Sequence, residues 1–223
     1  MPRPLRIDVG GEIYHVINRA NARAQIFESE EDYRLFESVL LEAKELTDMR
    51  ILAYCIMPNH WHLVLSPVGD GDLAVFMKWL TATHVRKRHV ARKAIGMGHL
   101  YQGRYKSFIV RNDSYLAQVC RYVECNALRA RLVKRAEDWQ WSSLWRRERG
   151  TPEQQKLLSH WPIDTPSQYI EWVNAPDRPE VMEQIRHSVN KGTPFGPLGW
   201  MMEKIEYYQL ASTMREAGRP KSR

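Results

Sequence analysis

The chain of 223 residues has room for one well-packed domain with a helical extension, and its 43% hydrophobic and 26% charged residues are typical of a soluble protein. No apolar run reaches the ~18 residues of a membrane span, the first residues lack a secretory signal, and the three cysteines form no CxxC pair, which argues against a disulfide framework or a zinc ribbon. We therefore expect a cytoplasmic protein without a membrane partner, and its net charge of +7 hints at a polyanionic one.

The first third of the chain carries the patterns of a strand, a helix and two more strands. Ser29 and Asp32 have the spacing of a capping box, and apolar residues at helical spacing follow them. Pro58 and Asn59 form a tight turn between two runs that are rich in β-forming residues. The predicted strand, helix, strand and strand cover residues 12–19, 30–47, 50–56 and 60–66.

The strand after this turn contains two histidines separated by one residue. Side chains on a strand alternate between its faces, so His60 and His62 share one face and Trp61 points to the other. The two imidazoles are expected to lie ~6–7 Å apart, which is two strand rises. One divalent cation or one phosphate group could therefore reach both.

Helical spacing predicts a second helix over residues 73–93, and the charge of this region has one sign. No Asp or Glu occurs from residue 73 to residue 112, whereas acidic residues are interspersed elsewhere. Such a block attracts phosphate groups, so we favour a nucleic-acid surface over a solvated helix face. The expected nucleic-acid-binding residues are Arg86, Lys87, Arg88, Arg92, Lys93, Arg104, Lys106 and Arg111. His84 and His89 belong to this helix and are expected to face solvent or phosphate.

The remaining elements complete a known order of strands and helices. Residues 101–111 predict a fourth strand, and a cap at Asn112 or Asp113 begins a helix that runs to about Arg129. The order is that of the ferredoxin-like split βαβ fold, which is an α+β fold with a four-stranded antiparallel sheet and two helices on one face. Two short helices, over residues 178–190 and 197–210, and a basic tail follow.

The helix over residues 113–129 carries a polar stripe beside its apolar face. Its members are Tyr115, Gln118, Tyr122, Asn126 and Arg129. A tyrosine stripe alone is more often the edge of a core. Beside a divalent ion held by two imidazoles, however, a phenolic oxygen can attack phosphorus, and the carbonyl oxygen of Asn126 could complete the ligand set.

These stretches make the chain resemble the single-tyrosine HUH transposases, in which HUH denotes His-hydrophobe-His. Within that group it is similar to the REP-associated tyrosine transposases of bacteria. The likeness covers nearly all of residues 3–143 and is weaker beyond them. The stretches that carry it are RPLRI at 3–7, YHVINR at 14–19, MPNHWHL at 57–63, YQGRYKS at 101–107 and RYVECNALRA at 121–130.

The resemblance implies a nuclease domain over residues 1–143 and a helical C-terminal extension over residues 144–223. It further implies that the domain cuts and rejoins single-stranded DNA at hairpins of repetitive extragenic palindromes, in the bacterial cytoplasm and near the nucleoid. Mg²⁺ or Mn²⁺ would be the cofactor, a 5′-phosphotyrosine the intermediate, and a monomer or a homodimer the active form.

The family pattern also assigns roles to individual residues. By the resemblance, His60 and His62 are metal ligands, Tyr122 is the nucleophile and Asn126 is a third ligand, although related transposases often have Gln there. The family usually has Pro where this chain has Ala127, a change that we expect to leave the helix intact.

Three alternatives remain open at this stage. Tyr115 shares the stripe with Tyr122 and is the rival nucleophile. His15 lies on a strand that should neighbour the histidine pair, where it is either a structural imidazole, which we favour, or a residue behind the metal ligands. The whole protein could also be a domesticated, non-catalytic hairpin-binding protein on the same fold.

Overall fold

A four-stranded antiparallel sheet forms the centre of the computed structural model, which describes residues 6–93 and 98–214. The strands lie in the order β2-β3-β1-β4, so β3 separates the two strands that α1 connects. This arrangement confirms the expected ferredoxin-like α+β fold. The elements are β1 (Ile13–Arg19), α1 (Glu30–Thr47), β2 (Arg50–Met57), β3 (His60–Ser66), α2 (Asp72–Ala91) and β4 (Lys106–Val110).

The two faces of the sheet bury different sets of side chains. On one face, Trp61 and its neighbours pack against α1 and α2, which confirms the two helices predicted there. On the other face, Val64 and Phe108 pack against residues of the next helix, including Val119. Because side chains alternate along β3, the two histidines lie on this second face.

The fourth strand is shorter than expected. Of residues 101–111, only Lys106–Val110 forms a regular strand, and Tyr101 makes a single bridge to Ala20. The Tyr101 hydroxyl accepts a hydrogen bond from Trp61 Nε1 at 3.1 Å and lies 2.7 Å from His84 Nδ1. These contacts anchor Tyr101 in the core beside α2, away from the line of β4.

The same contacts correct the expectation for His84. Its side chain is fully buried and faces neither solvent nor phosphate. Phe27 stacks on the imidazole with 5.6 Å between ring centroids. His84 is therefore part of the core between the first two helices.

The helix predicted over residues 113–129 is interrupted. It consists of α3 (Ser114–Glu124) and the short α4 (Asn126–Arg129), with Cys125 at φ −76° and ψ −5° between them. Asn126 Nδ2 donates to the backbone carbonyls of Tyr122, at 3.2 Å, and of Val123, at 3.1 Å. A continuous helix needs these carbonyls for its own amides, so the side chain competes with the helix at this point.

Residues after 142 form helices that pack on the second face of the sheet and around its edges. The backbone of Phe195 pairs with β4 next to Val110, and Met182 and Ile185 join the core under α3. None of the helices in the described ranges is long and apolar enough to cross a membrane. The helices are α5 (Ser143–Arg149), α6 (Pro152–Gln155), α7 (Tyr169–Asn174), α8 (Pro179–Lys191) and α9 (Leu198–Tyr207).

The two helices expected near the C-terminus are thus confirmed as α8 and α9. The basic tail over residues 217–223 lies outside the described residues. The division of the chain at residue 143 stays a prediction.

A buried ion pair ties α5 to the sheet. The Arg146 guanidinium pairs with the Glu37 carboxylate, and both groups contact the Tyr54 hydroxyl. The two side chains are only 4% and 12% exposed, so the pair is shielded from solvent.

Replacing Arg146 with methionine is expected to lower the free energy of unfolding by about 3 kcal/mol, because Glu37 would lose its charge partner while buried. Arg149→Met is the control, since Arg149 is half-exposed on the same helix and pairs with Asp138 at the surface. Urea unfolding of both variants measures the difference. Equal free energies of unfolding for the two variants would contradict the contribution assigned to the Arg146–Glu37 pair.

Candidate active site

The histidine pair lies at the start of β3, on the face that α3 covers. Its ring centroids are 5.1 Å apart, which is closer than two strand rises, and the rings are inclined at 75° to each other. His62 is 2% exposed, and His60 is partly exposed opposite Arg19 on β1. His60 Nδ1 lies 2.6 Å from the carbonyl oxygen of the Asn59 side chain, so it donates its proton there and leaves the Nε2 lone pair available.

A third histidine lies directly behind this pair. His15 on β1 is fully buried, and its Nε2 is 2.9 Å from His62 Nδ1. When His62 Nδ1 donates in this contact, the lone pair of His62 lies on Nε2, as metal ligation requires. His15 Nδ1 has no partner within the described ranges. His15 thus contacts a predicted ligand and is shielded from solvent, and both roles considered for it stay predictions.

Tyr122 on α3 lies beside these histidines. Its ring centroid is 5.8 Å from that of His62 and 6.0 Å from that of His15. The side chain is 9% exposed, and no hydrogen bond among the described residues involves its hydroxyl. Burial raises the pKa of Tyr122, while the nearby Arg129 acts in the opposite direction. The phenol is therefore neutral at pH 7, with its hydroxyl available to an incoming group.

The rival tyrosine has a different neighbour. Tyr115 packs edge-on against Phe195 with 5.1 Å between ring centroids. Phe195 lies on the segment that runs beside β4. Among the ring contacts of the described residues, Tyr122 meets the histidines and Tyr115 does not.

Asn126 has hydrogen-bond partners on both ends of its amide group. Its Oδ1 accepts from Arg129 Nη1 at 3.1 Å, and the guanidinium carbon of Arg129 lies 4.9 Å from the centroid of the Tyr122 ring. Asp177, in the connection between α7 and α8, accepts from Arg129 Nε at 2.9 Å. A carbonyl oxygen has two lone pairs, so Asn126 keeps one for another partner.

The predicted ligands for a divalent ion are His60, His62 and Asn126. In the described residues, no group of three or more His, Cys, Asp or Glu side chains could hold a metal. Two neutral imidazoles and the Asn126 oxygen are the donors present. A mixed nitrogen and oxygen set suits Mn²⁺ better than Mg²⁺, which prefers oxygen alone. Metal ligation by the three residues stays a prediction.

Three of the expected DNA-binding residues face acidic partners on and before α1. Lys87 pairs with Glu42 at 2.7 Å. Arg88 and Arg92 both pair with Glu28, and Arg92 also pairs with Asp32. These contacts join α2 to α1. The positive charge of Lys87, Arg88 and Arg92 is thus partly compensated within the protein. These residues lie 45 to 64 positions from their acidic partners, so local sequence patterns did not indicate the pairing.

Within the described ranges, the other expected DNA-binding residues do not pair with α1. Arg86 and Lys93 are exposed on the surface of α2 or just beyond its end, and Arg111 pairs with the neighbouring Asp113. Arg104 and Lys106 line a cavity of about 360 Å³ together with Arg19, which lies opposite His60. DNA binding by the whole set stays a prediction.

Two functional candidates had no assigned role at the level of sequence. Arg19 approaches His60 only through the pairing of β1 with β3. Arg129 lay in the polar stripe, and its spacing of three residues from Asn126 and seven from Tyr122 could have indicated its contacts with both.

The buried histidines predict a steep loss of stability in acid. Burial lowers the pKa of His60 to about 4, with a further contribution from Arg19, and burial lowers those of His15 and His84 to about 3. Burial also lowers the pKa of His62, and its histidine neighbours act in the same direction. The unfolded chain binds these protons below about pH 6.5, whereas the folded chain does not bind them until near pH 4 or below.

The free energy of unfolding is therefore expected to fall as the pH drops from 6.5 towards 4, by about 1.4 kcal/mol per histidine per pH unit. Urea unfolding at pH 7, 6 and 5 measures this slope. His84→Gln should reduce the slope by about one proton, while the same change at the exposed His187 should leave it unchanged. If His84→Gln leaves the slope unchanged, the lowered pKa assigned to buried His84 would be contradicted.

Part of this chain is similar in sequence to known transposases. The family model for IS200-like transposases matches residues 9–126, which is more than half of the chain. A candidate REP-associated tyrosine transposase from Haemophilus influenzae is 25% identical over 119 residues, which is 50% of this chain and 68% of that protein.

One solved structure has the same fold. A REP-associated tyrosine transposase bound to a REP hairpin superposes with a TM-score of 0.56 at 20% identity, over 75% of this chain and 94% of that one. A candidate transposase from Deinococcus radiodurans is more distant, with a TM-score of 0.40 at 22% identity over 56% of this chain and 95% of that one. The resemblance inferred from the sequence is confirmed. Because the family model spans the sheet and continues through α3, the chain belongs to the IS200-like transposases.

Proposed function

We propose that the chain is a metal-dependent transesterase that cuts and rejoins single-stranded DNA at hairpins of repetitive extragenic palindromes. The observation that carries the proposal is the position of Tyr122, whose ring meets His62 while its hydroxyl has no hydrogen-bond partner among the described residues. A nucleophile beside a candidate metal site is the arrangement that phosphoryl transfer requires.

In the proposed reaction, the phenolic oxygen of Tyr122 attacks the scissile phosphorus. The bond from phosphorus to the 3′ oxygen breaks, and the phenolic proton passes through solvent to the departing 3′-OH. The product is a 5′-phosphotyrosine ester. Since the ester keeps the energy of the broken phosphodiester, a 3′-OH can attack it later and rejoin DNA without a nucleotide cofactor.

His60, His62 and Asn126 would hold a Mg²⁺ or Mn²⁺ ion, which when bound polarises a phosphate oxygen. Neighbouring side chains contact Nδ1 of both imidazoles. Asn59 accepts the Nδ1 proton of His60, and His15 lies at hydrogen-bond distance from Nδ1 of His62. When Nδ1 donates in both contacts, Nε2 of each imidazole is the nitrogen that would bind the metal.

Two arginines add positive charge where a phosphate would lie. Arg129 covers the ring of Tyr122, and Arg19 lies opposite His60. Both charges favour a phosphate at the site and oppose the effect of burial on the Tyr122 hydroxyl. Arg104 and Lys106 continue the basic surface from Arg19 along the edge of the sheet, where a single strand could follow.

Incubation of the protein with an end-labelled hairpin oligonucleotide and Mn²⁺ tests the proposal. A 5′-phosphotyrosine link requires that a label at the 3′ end of the DNA stays with the denatured protein, whereas a label at the 5′ end is released. EDTA should prevent both the retention of the 3′ label and the release of the 5′ label. The opposite polarity, or no adduct at any Mn²⁺ concentration, would contradict the proposed chemistry.

One observation favours a second candidate function, a non-catalytic hairpin-binding protein on the same fold. The Asn126 oxygen already accepts a hydrogen bond from Arg129, so the third ligand is partly occupied. Hairpin retention without an adduct, and without metal binding that depends on His60, would favour this candidate.

A further inference from the structure

A cavity of about 440 Å³ opens beside Tyr122, between α3 and the C-terminal helices. Its volume lies within the roughly 300–1,000 Å³ of small-molecule sites. No role has been assigned to it so far. Its lining includes Gln118, Tyr122, Trp172, Arg178, Met182 and Ile185.

The outer wall of the cavity is firmly attached to α3. Arg121, which is 7% exposed, donates from Nε to the Trp172 carbonyl at 2.7 Å and from Nη2 to the Ala175 carbonyl at 2.6 Å. Asp177 binds Arg121 at 2.9 Å and Arg129 at 2.9 Å. The wall and the helix of the nucleophile therefore form one rigid unit, so the cavity is a built feature of the fold.

Three polar groups that line the cavity lack hydrogen-bond and ion-pair partners within the described ranges. The half-buried carboxamide of Gln118, the indole N–H of Trp172 and the exposed guanidinium of Arg178 take part in no hydrogen bond or ion pair there. Met182 and Ile185 supply an apolar floor. An aromatic ring, an amide, a cation and an apolar floor match the face, the edge and the phosphate of one nucleotide.

We propose that this cavity binds one extruded base of the DNA strand next to the scissile phosphate, and that Gln118 reads the edge of that base. This inference rests on the proposed function. The position of the cavity indicates that a nucleotide fills it, because Tyr122 lines both the cavity and the histidine site. A strand with its phosphate at Tyr122 has an adjacent nucleotide within reach. An amide can make two hydrogen bonds to a base edge, and Arg178 can neutralise the flanking phosphate.

The test uses the full chain carrying Tyr122→Phe, so that bound DNA is not cut, and a pool of hairpin oligonucleotides with randomised single-stranded flanks. Sequencing of the retained DNA is expected to reveal a preferred base at one flank position. Adding Gln118→Ala should reduce that preference by roughly tenfold at this position alone. Arg178→Ala should weaken retention of all sequences without changing the preference.

Gln184→Ala is the matched control, because Gln184 is exposed on α8 and does not line the cavity. Placing an abasic nucleotide at the preferred position should weaken binding by the protein that retains Gln118, and should abolish the difference between that protein and the Gln118→Ala variant. If hairpins are retained and Gln118→Ala leaves the base preference unchanged, the base pocket is overturned but the proposed function is not. Failure to retain any hairpin would overturn both.

Discussion

Tyr122→Phe is expected to abolish the covalent protein–DNA adduct, with a loss of more than about 10⁴-fold in the rate of its formation. The substitution removes only the oxygen that would attack phosphorus. Because the Tyr122 hydroxyl makes no hydrogen bond among the described residues, the free energy of unfolding should change by less than about 0.5 kcal/mol. Hairpin binding should therefore persist while the adduct disappears.

Tyr115→Phe provides the matched control on the same helix. The Tyr115 ring packs against Phe195 and has no ring contact with the histidine pair, so the adduct should form at the normal rate. Gel mobility of denatured protein after incubation with labelled hairpin and Mn²⁺ measures both variants. An adduct that survives Tyr122→Phe but vanishes with Tyr115→Phe would reverse the assignment of the nucleophile.

Replacing either histidine of the pair by glutamine is expected to weaken Mn²⁺ binding by at least about 100-fold and adduct formation by about 10³-fold. His60 and His62 are the two predicted nitrogen ligands beside Tyr122, so the loss of one leaves too few ligands. His60→Gln is the cleaner variant, because His60 is partly exposed and its replacement leaves the core intact.

Calorimetric titration of the free protein with Mn²⁺ separates metal binding from catalysis. His84→Gln is the control, since His84 is a buried histidine that lies on the opposite side of the sheet from the pair. Its Mn²⁺ affinity should equal that of the unaltered protein. If His60→Gln binds Mn²⁺ as tightly as the unaltered protein, the pair is not the metal site and the non-catalytic hairpin-binding function gains support.

Local periodicity was sufficient for the strands and helices that form the sheet side of the site. Period-two alternation assigned His60 and His62 to one face, and the structure has β3 at His60–Ser66 as predicted. The first helix likewise has its predicted bounds, Glu30–Thr47. Such patterns depend on neighbours within a few residues, so they can be read directly from the chain.

Periodicity could not decide which tyrosine belongs to the site. Tyr115 and Tyr122 share one stripe of the same helix, and they differ only in what covers them. Phe195, 80 residues further along, covers Tyr115, while β1 and β3 bring His15 and His62 to Tyr122. Contacts between residues far apart in the chain depend on how the whole chain packs.

The sequence by itself determined the fold, the family resemblance, the shared face of the histidine pair and the excess of positive charge. Only the tertiary structure decided that His84 is buried, that Glu28 and Glu42 compensate part of the basic block, and that Arg129 joins Asn126 to Tyr122. The reason is physical. Secondary structure follows from short-range patterns, whereas burial and charge pairing depend on partners that folding brings together.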